Sequence, residues 1–122
     1  MVVIVIVNTE IAINKLTKEE LIKLYDEGKN LSGKPIFITF YATWCGPCKM
    51  FEQVLNEVTP EYSDKINFYK VDIEEEPEIA SLFRVMSVPQ VSMIRKDGSK
   101  EQEIGVMNEG SLKYWLEGLI SN

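Results

Sequence analysis

Two cysteines, Cys45 and Cys48, are the residues of this chain best suited to redox chemistry. They are its only cysteines, and they lie two residues apart in the hexapeptide WCGPCK at residues 44–49. The apolar, β-branched and aromatic segment 36–41 precedes them, and apolar residues at helical spacing follow at 51–58. The pair is therefore predicted at a strand-to-helix turn, with Pro47 in the first helical turn. Such a pair is typical of a redox-active dithiol.

The helix N-terminus suggests different roles for the two thiols. A free thiol with a pKa near ~8.5 is only about 3% ionised at pH 7, and the thiolate is the nucleophile. The positive end of the helix dipole favours an anion at Cys45. We therefore expect Cys45 to be the exposed, attacking thiol. We expect Cys48, one turn further, to be buried and protonated until it is needed.

Other uses of a cysteine pair are weaker interpretations. A structural disulfide across two residues closes almost no loop and would stabilise the fold little. A zinc site takes three or four protein ligands, and the chain has no histidine and no third cysteine. An iron–sulfur cluster would have to be shared between two chains.

Composition limits the class of protein and its partners. The 122 residues are enough for one domain, and 45% hydrophobic with 26% charged residues is typical of a globular protein. A net charge of −6 argues against nucleic acid or an anionic membrane surface as a partner. A cysteine pair without structural disulfides fits a reducing compartment, so we expect a cytoplasmic protein. The apolar residues 1–7 lack a basic region and a cleavage site, and they favour a strand over a signal peptide. Removal of an upstream signal would instead place the protein outside the cytoplasm.

Local signals predict the elements in order. We expect strands at 2–7, 35–41 and 66–72, and a hairpin of 91–94 with 101–106 around the turn 96–99. Helices are expected from the N-cap Thr17 to near Gly28, from the cysteines to 58–59 with a further turn through Tyr62, at 77–83, and at 109–120 after the N-cap Asn108. The acidic residues 74–78 favour a helix start over a binding patch. The order β-α-β-α-β-α-β-β-α predicts one α/β domain over residues 1–122, with helices on both faces of a mixed sheet.

The hexapeptide resembles the active site of the thioredoxins, including the flanking Trp44 and Lys49. The predicted order also matches the thioredoxin fold, a central mixed sheet of about five strands flanked by about four helices. The resemblance implies a cis-proline at Pro89 opposite the cysteines, with Val88 offering backbone groups to a bound peptide. It also implies a buried lysine at Lys70. A flat apolar surface beside Cys45 would be lined by Trp44, Gly46, Pro47, Val88, Pro89, Gly105 and Met107.

Three positions depart from the family pattern. Thr39 stands where thioredoxins carry a buried aspartate that is thought to help deprotonate the inner cysteine, and a threonine hydroxyl cannot accept a proton at neutral pH. No replacement lies near Thr39 in sequence, although folding can bring a carboxylate close. Gln53 replaces a helix-kinking proline, and Gln90 replaces the usual threonine after Pro89.

The resemblance implies a general protein-disulfide reductant. Cys45 would attack a substrate disulfide, and Cys48 would then resolve the mixed disulfide. No bound cofactor is implied. The oxidised pair would be reduced by a flavoprotein thioredoxin reductase using NADPH, and we expect a monomer. Gly-Pro between the cysteines favours a reductant, because strong oxidants of this fold carry a histidine there.

Two further functions stay open from the sequence. One is an extracytoplasmic reductase for a dedicated client, recharged by a membrane partner. The other is a non-enzymatic binding subunit in which the dithiol is incidental.

Overall fold

A five-stranded mixed sheet forms the centre of the computed structural model, which describes residues 13–121. The strand predicted at 2–7 lies outside these residues. Seven strands are present in the described part: β1 Asn14–Lys15, β2 Tyr25–Asp26, β3 Lys29–Asn30, β4 Ile36–Tyr41, β5 Asn67–Asp72, β6 Gln90–Ile94 and β7 Lys100–Ile104. The sheet has the order β1-β5-β4-β6-β7. Strands β1, β5 and β4 run parallel to one another, β6 is antiparallel to β4, and β7 is antiparallel to β6. The predicted α/β class and mixed sheet are confirmed.

Four helices flank the sheet within residues 13–121: α1 Lys18–Leu24, α2 Gly46–Val58, α3 Pro77–Leu82 and α4 Glu109–Ile120. Side chains cap two of them as predicted. The Thr17 hydroxyl accepts a hydrogen bond from the Glu20 N–H (3.1 Å), and Asn108 Oδ1 accepts one from the Ser111 N–H (2.8 Å). Helix α2 ends at Val58 and continues as the 3-10 turn Thr59–Tyr62, because Pro60 cannot donate in an α-helix. Of the helices in residues 13–121, none has both the length and the apolar composition needed to cross a membrane.

The prediction that the first helix continues to near Gly28 is wrong. Helix α1 ends at Leu24, and β2 pairs with β3 as a small antiparallel hairpin. Its two turn residues, Glu27 and Gly28, have φ values of 46° and 80°. A two-residue hairpin turn needs positive φ, which glycine adopts without strain.

Alternate residues of β4 point to two separate cores. Phe37 faces α2 and α4, where it packs with Phe51, Leu55 and Leu116. The opposite face of the strand is covered by α1 and α3. Its buried side chains include Ile36, Ile38, Phe40, Leu21 and Ile79. The central strand is thus apolar on both faces, as expected for a strand covered on both sides.

The strand order brings three distant segments to one edge of the sheet. The carboxyl end of β4 leads through residues 42–45 into α2. The carboxyl end of β5 lies beside it, with Tyr41 opposite Asp72. Strand β6 runs the other way and starts at this edge, with Gln90 opposite Phe40. The cysteines and the segment before Gln90 are therefore neighbours.

Candidate active site

Cys45 and Cys48 form a disulfide at the start of α2, with their Cα atoms 5.3 Å apart. Cys45 is the N-cap residue, and its Sγ accepts a hydrogen bond from the Cys48 N–H at 3.1 Å. Gly46 and Pro47 form the exposed first turn. The Cys45 sulfur therefore lies where free helix N–H groups and the helix dipole stabilise negative charge.

The expectation that Cys45 is the exposed cysteine is wrong for the oxidised form. The exposed fraction is 4% for Cys45 and 7% for Cys48. Cys45 is covered because it packs against Ala42 and Val88, with its Sγ 3.7 Å from the Val88 carbonyl oxygen. The sequence shows the position of a residue in its helix but not the loop that covers it.

The loop opposite the cysteines contains a cis peptide bond between Val88 and Pro89, as the resemblance implies. Two hydrogen bonds fix this loop at its ends. The Gly105 N–H donates to the Pro89 carbonyl (2.9 Å), and the Met86 N–H donates to Gln90 Oε1 (3.4 Å). Gly105 has a φ of 100°, which a side chain would strain. The structure thus brings residues 45–48, 88–89 and 105 together.

An apolar surface lies around this point, but two of its predicted residues, Pro89 and Met107, are buried. Trp44 is 69% exposed, and Val88 is half-buried. Met107 is buried and packs in the core with Leu112, so the prediction that its side chain lines the surface is wrong. Val106 is exposed in its place, because successive residues of an extended segment point in opposite directions.

The exposed Trp44 is held by an acidic residue that the sequence reasoning did not select. Its Nε1–H donates to Glu74 Oε1 at 2.8 Å. Asp72 Oδ1 in turn accepts hydrogen bonds from the N–H groups of Glu74 (2.9 Å) and Glu75 (3.4 Å). The predicted helix start is confirmed at Pro77, but Glu74 also orients the tryptophan beside the dithiol. No local signal indicates this role, because the two residues are 30 positions apart.

A cleft of about 500 Å³ lies behind Cys48, on the α2 side of the sheet. Thr39 and Lys70 line it from neighbouring strands, where they are paired in register. Thr39 is buried, as expected for the position that it occupies in the family pattern. Lys70 is only half-buried, so the implied full burial is wrong; its Nζ lies 6.0 Å from the centre of the Tyr41 ring. Lys49 lines the outer part of the cleft from α2 and is exposed.

Tyr41 and Glu52 also line this cleft, and the Glu52 carboxylate disfavours ionisation of the Tyr41 phenol. The pKa of Tyr41 is raised, chiefly because burial disfavours the phenolate. Lys15 lowers it, whereas the carboxylates of Asp72, Glu75 and Glu52 raise it further. Sequence reasoning left Glu52 out. Its position four residues after Cys48 on one helix is the signal that would have found it.

Family comparison agrees with this geometry. The thioredoxin family model matches residues 13–118. The chain belongs to the thioredoxin family. Thioredoxin from Borreliella burgdorferi is 35% identical over 80% of this chain and 89% of its own length. Thioredoxin from Rickettsia prowazekii is 33% identical over 70% of this chain and 81% of its own.

Solved structures agree on the thioredoxin fold. A crystal structure of chloroplastic thioredoxin z covers 92% of this chain and 97% of its own, with a TM-score of 0.77 at 22% identity. A structure from work on thiol resolution in a yeast mitochondrial 1-Cys peroxiredoxin by glutathione and thioredoxin systems has a TM-score of 0.74. It is 33% identical and covers 90% of this chain and 98% of its own. Family membership and the Cys45–Cys48 disulfide together make this chain a thiol–disulfide oxidoreductase.

Proposed function

We propose that this thioredoxin-family protein is a general reductant of protein disulfides that cycles between the Cys45–Cys48 dithiol and its disulfide. The observation that carries the proposal is the disulfide at the N-terminus of α2, directly beneath the Val88–Pro89 loop. Redox-active pairs need a stabilised thiolate and a partner thiol within reach, and both are supplied by this turn.

Cys45 is the proposed attacking thiol. As the N-cap residue it accepts the Cys48 N–H and lies at the positive end of the helix dipole, so its thiolate is favoured. The thiolate attacks one sulfur of the substrate disulfide. The Cys45–substrate bond forms, the substrate disulfide breaks, and the released substrate sulfur leaves as a thiolate.

Cys48 completes the reduction. Its thiolate attacks the Cys45 sulfur, the internal disulfide forms, and the second substrate thiolate leaves. During the mixed-disulfide stage the substrate lies along Trp44, Val88 and Gly105. The backbone of Val88 is close to the reacting sulfur and is in position to bond the peptide.

The oxidised pair must be reduced again by a partner. A relative from Mycobacterium leprae, 33% identical over 75% of this chain, is a bifunctional thioredoxin reductase/thioredoxin. That relative, of which this chain covers 20%, supports a thioredoxin reductase as the partner here. The proposal is that this partner is a flavoprotein supplied with NADPH. The proposal includes a monomeric protein in the cytoplasm, with no cofactor of its own.

Trapping of mixed disulfides tests the order of the two steps. With Cys48→Ser, disulfide-containing clients should accumulate as covalent complexes, because the resolving thiol is missing. With Cys45→Ser, few complexes should form. Equal trapping by the two variants would contradict the ordered mechanism.

Reduction of insulin by the wild-type protein, with NADPH and a purified thioredoxin reductase, tests the activity as a whole. The Cys45→Ser variant is the control, and no difference in rate between the two proteins would support a binding subunit instead.

Limiting iodoacetamide should alkylate Cys45 of the reduced protein before Cys48. Faster labelling of Cys48 would overturn the assignment.

A further inference from the structure

The resolving step needs a proton acceptor that Thr39 cannot provide. Cys48 has to lose its proton before it attacks, and a threonine hydroxyl is not a base at neutral pH. Thr39 is buried on β4 and shares the cleft with Cys48. The search for an acceptor is therefore a search among the other groups that line this cleft.

Glu52 is the carboxylate of the cleft. Cys48 and Glu52 both belong to α2 and both line the cleft. Residues four apart on a helix have Cβ atoms about 5–6 Å apart, so their side chains are neighbours on one face. The cleft holds about 500 Å³, whereas one water occupies about 30 Å³ in the liquid. A water bridge between the thiol and the carboxylate therefore has room.

The other charged or titratable groups facing the cleft do not serve as acceptors. The ammonium groups of Lys49 and Lys70 offer only donors, and the raised pKa of Tyr41 keeps its phenol protonated. Lys15, Asp72 and Glu75 act on the Tyr41 side of the site; Lys15 and Glu75 form an ion pair of 2.9 Å. Asp72 Oδ1 is engaged by two backbone N–H groups. Glu52 makes no ion pair within 4.0 Å to any residue in the range 13–121.

We propose that the Glu52 carboxylate accepts the proton of the Cys48 thiol, through water in the cleft, when Cys48 resolves the mixed disulfide. The Cys48 S–H bond breaks, its proton passes to Glu52, and its electron pair forms the bond to the Cys45 sulfur. The Cys45–substrate bond breaks, and the substrate leaves as a thiolate that takes a proton from solvent or from Glu52. This inference rests on the two-step reduction proposed above.

Removal of the Glu52 carboxylate should either slow or speed the resolving step, and the direction distinguishes proton acceptance from a purely electrostatic role. A negative charge near a thiol disfavours its thiolate. If Glu52 acted only through its charge, removal of that charge would lower the pKa of Cys48 and speed the resolving step. If Glu52 takes the proton, its removal slows the same step. The two roles predict opposite changes.

Stopped-flow kinetics with equimolar dithiobis(nitrobenzoate) resolves the two steps. Attack by Cys45 releases the first nitrobenzoate thiolate, and attack by Cys48 releases the second. In Glu52→Gln the first release should keep its wild-type rate. The second should slow by roughly 10-fold near neutral pH, which is below the usual range of about 10²–10⁴ for general acid–base catalysis. This difference should shrink as the pH rises, because hydroxide then removes the Cys48 proton without help from Glu52.

Two further variants complete the test. Glu57→Gln, on the same helix but outside the cleft, is the matched control and should leave both rates unchanged. Thr39→Asp in the Glu52→Gln background should restore the second release, because a carboxylate again faces Cys48. If that double variant does not fold, the pH profile of Glu52→Gln alone decides the question.

The outcomes separate this inference from the proposed function. An unchanged or faster second release in Glu52→Gln, or a slowing that does not shrink at high pH, overturns the role of Glu52 and leaves the two-step reduction intact. Absence of a second release in the wild-type protein overturns both.

Discussion

The two ends of the sheet differ in how they join distant segments of the chain. At the end formed by the carboxyl termini of β4 and β5, distant segments meet through single side-chain contacts: Trp44 Nε1–H donates to Glu74, and the Cys45 sulfur lies against the Val88 carbonyl. An exposed tryptophan and an open cleft remain there. At the opposite end, two hairpin turns pack against each other backbone to backbone, with Gly98 against Gly28.

At the opposite end, the contact between the two turns leaves no space for an added atom on Gly98. A Cβ on Gly98 would lie 1.8 Å from the Gly28 carbonyl oxygen. The Asn30 side-chain amide donates to the carbonyl oxygens of Lys34 (2.7 Å) and Arg95 (3.1 Å). Lys100 Nζ lies 5.4 Å from the centre of the Tyr25 ring. The difference suggests that one end carries the chemistry and the other carries stability, so substitutions should separate the two properties.

The largest expected effect is loss of activity in Cys45→Ser. Reduction of insulin should fall to the rate without protein, because the attacking thiolate is gone. The free energy of unfolding, measured by urea against the reduced wild type, should change by no more than about 1 kcal/mol, since serine is itself a good N-cap residue. A large loss of stability would mean that the dithiol end also holds the fold together.

At the other end, Gly98→Ala should reduce stability and not chemistry. Gly98 has a φ of +88°, and the new Cβ would meet backbone atoms. We expect a loss of about 2–4 kcal/mol in the free energy of unfolding, with unchanged activity per folded molecule. Gly33→Ala is the matched control, because Gly33 has a φ of +78° with nothing within 4 Å. It should lose only about 1–2 kcal/mol from backbone strain. Equal losses would show that the Gly28–Gly98 contact is unimportant.

Glu74→Ala should produce a smaller effect at the reactive end. Loss of the Trp44 hydrogen bond frees the indole. We expect the rate of insulin reduction to fall roughly 3-fold, a change in barrier below about 1 kcal/mol. Fluorescence anisotropy of Trp44, measured in a Trp115→Phe background, should fall in parallel. Glu75→Ala is the control, since it removes the ion pair with Lys15 and leaves Trp44 bonded. An equal effect of both variants would point to the general acidity of this segment.

The smallest expected effect is a pH dependence at the stable end. Burial, followed by the hydrogen bond that its hydroxyl donates to Glu117 (2.8 Å), raises the pKa of Tyr62 from 10.0 to about 12. Its contribution to stability is fully present below pH 10. It is lost as the pH rises toward 12, because the unfolded chain loses this proton first. The free energy of unfolding in urea should therefore fall less steeply with pH over this range for Tyr62→Phe than for the wild type. Identical slopes for the two proteins would contradict the raised pKa of Tyr62.

Local signals in the sequence were enough to predict most of the helices and strands. The caps Thr17 and Asn108, the end of α2 before Pro60 and the hairpin around Asp97-Gly98 are all where they were predicted. Each depends on residues within a turn or two of the chain, and the printed sequence shows such neighbours directly. The hairpin of β2 and β3 was missed, because Glu27-Gly28 carries a weaker turn signal and its strands have two residues each.

The sequence by itself determined that a dithiol lies at a helix N-terminus after a buried strand, because that arrangement follows from spacing and helix geometry within a few residues. Only the tertiary structure decided that Val88 covers Cys45, that Met107 faces inward, that Glu74 holds Trp44 and that Glu52 shares a cleft with Thr39 and Lys70. These contacts depend on which elements the sheet order brings together. Burial and hydrogen bonding between segments tens of residues apart leave no periodic signal in either segment alone.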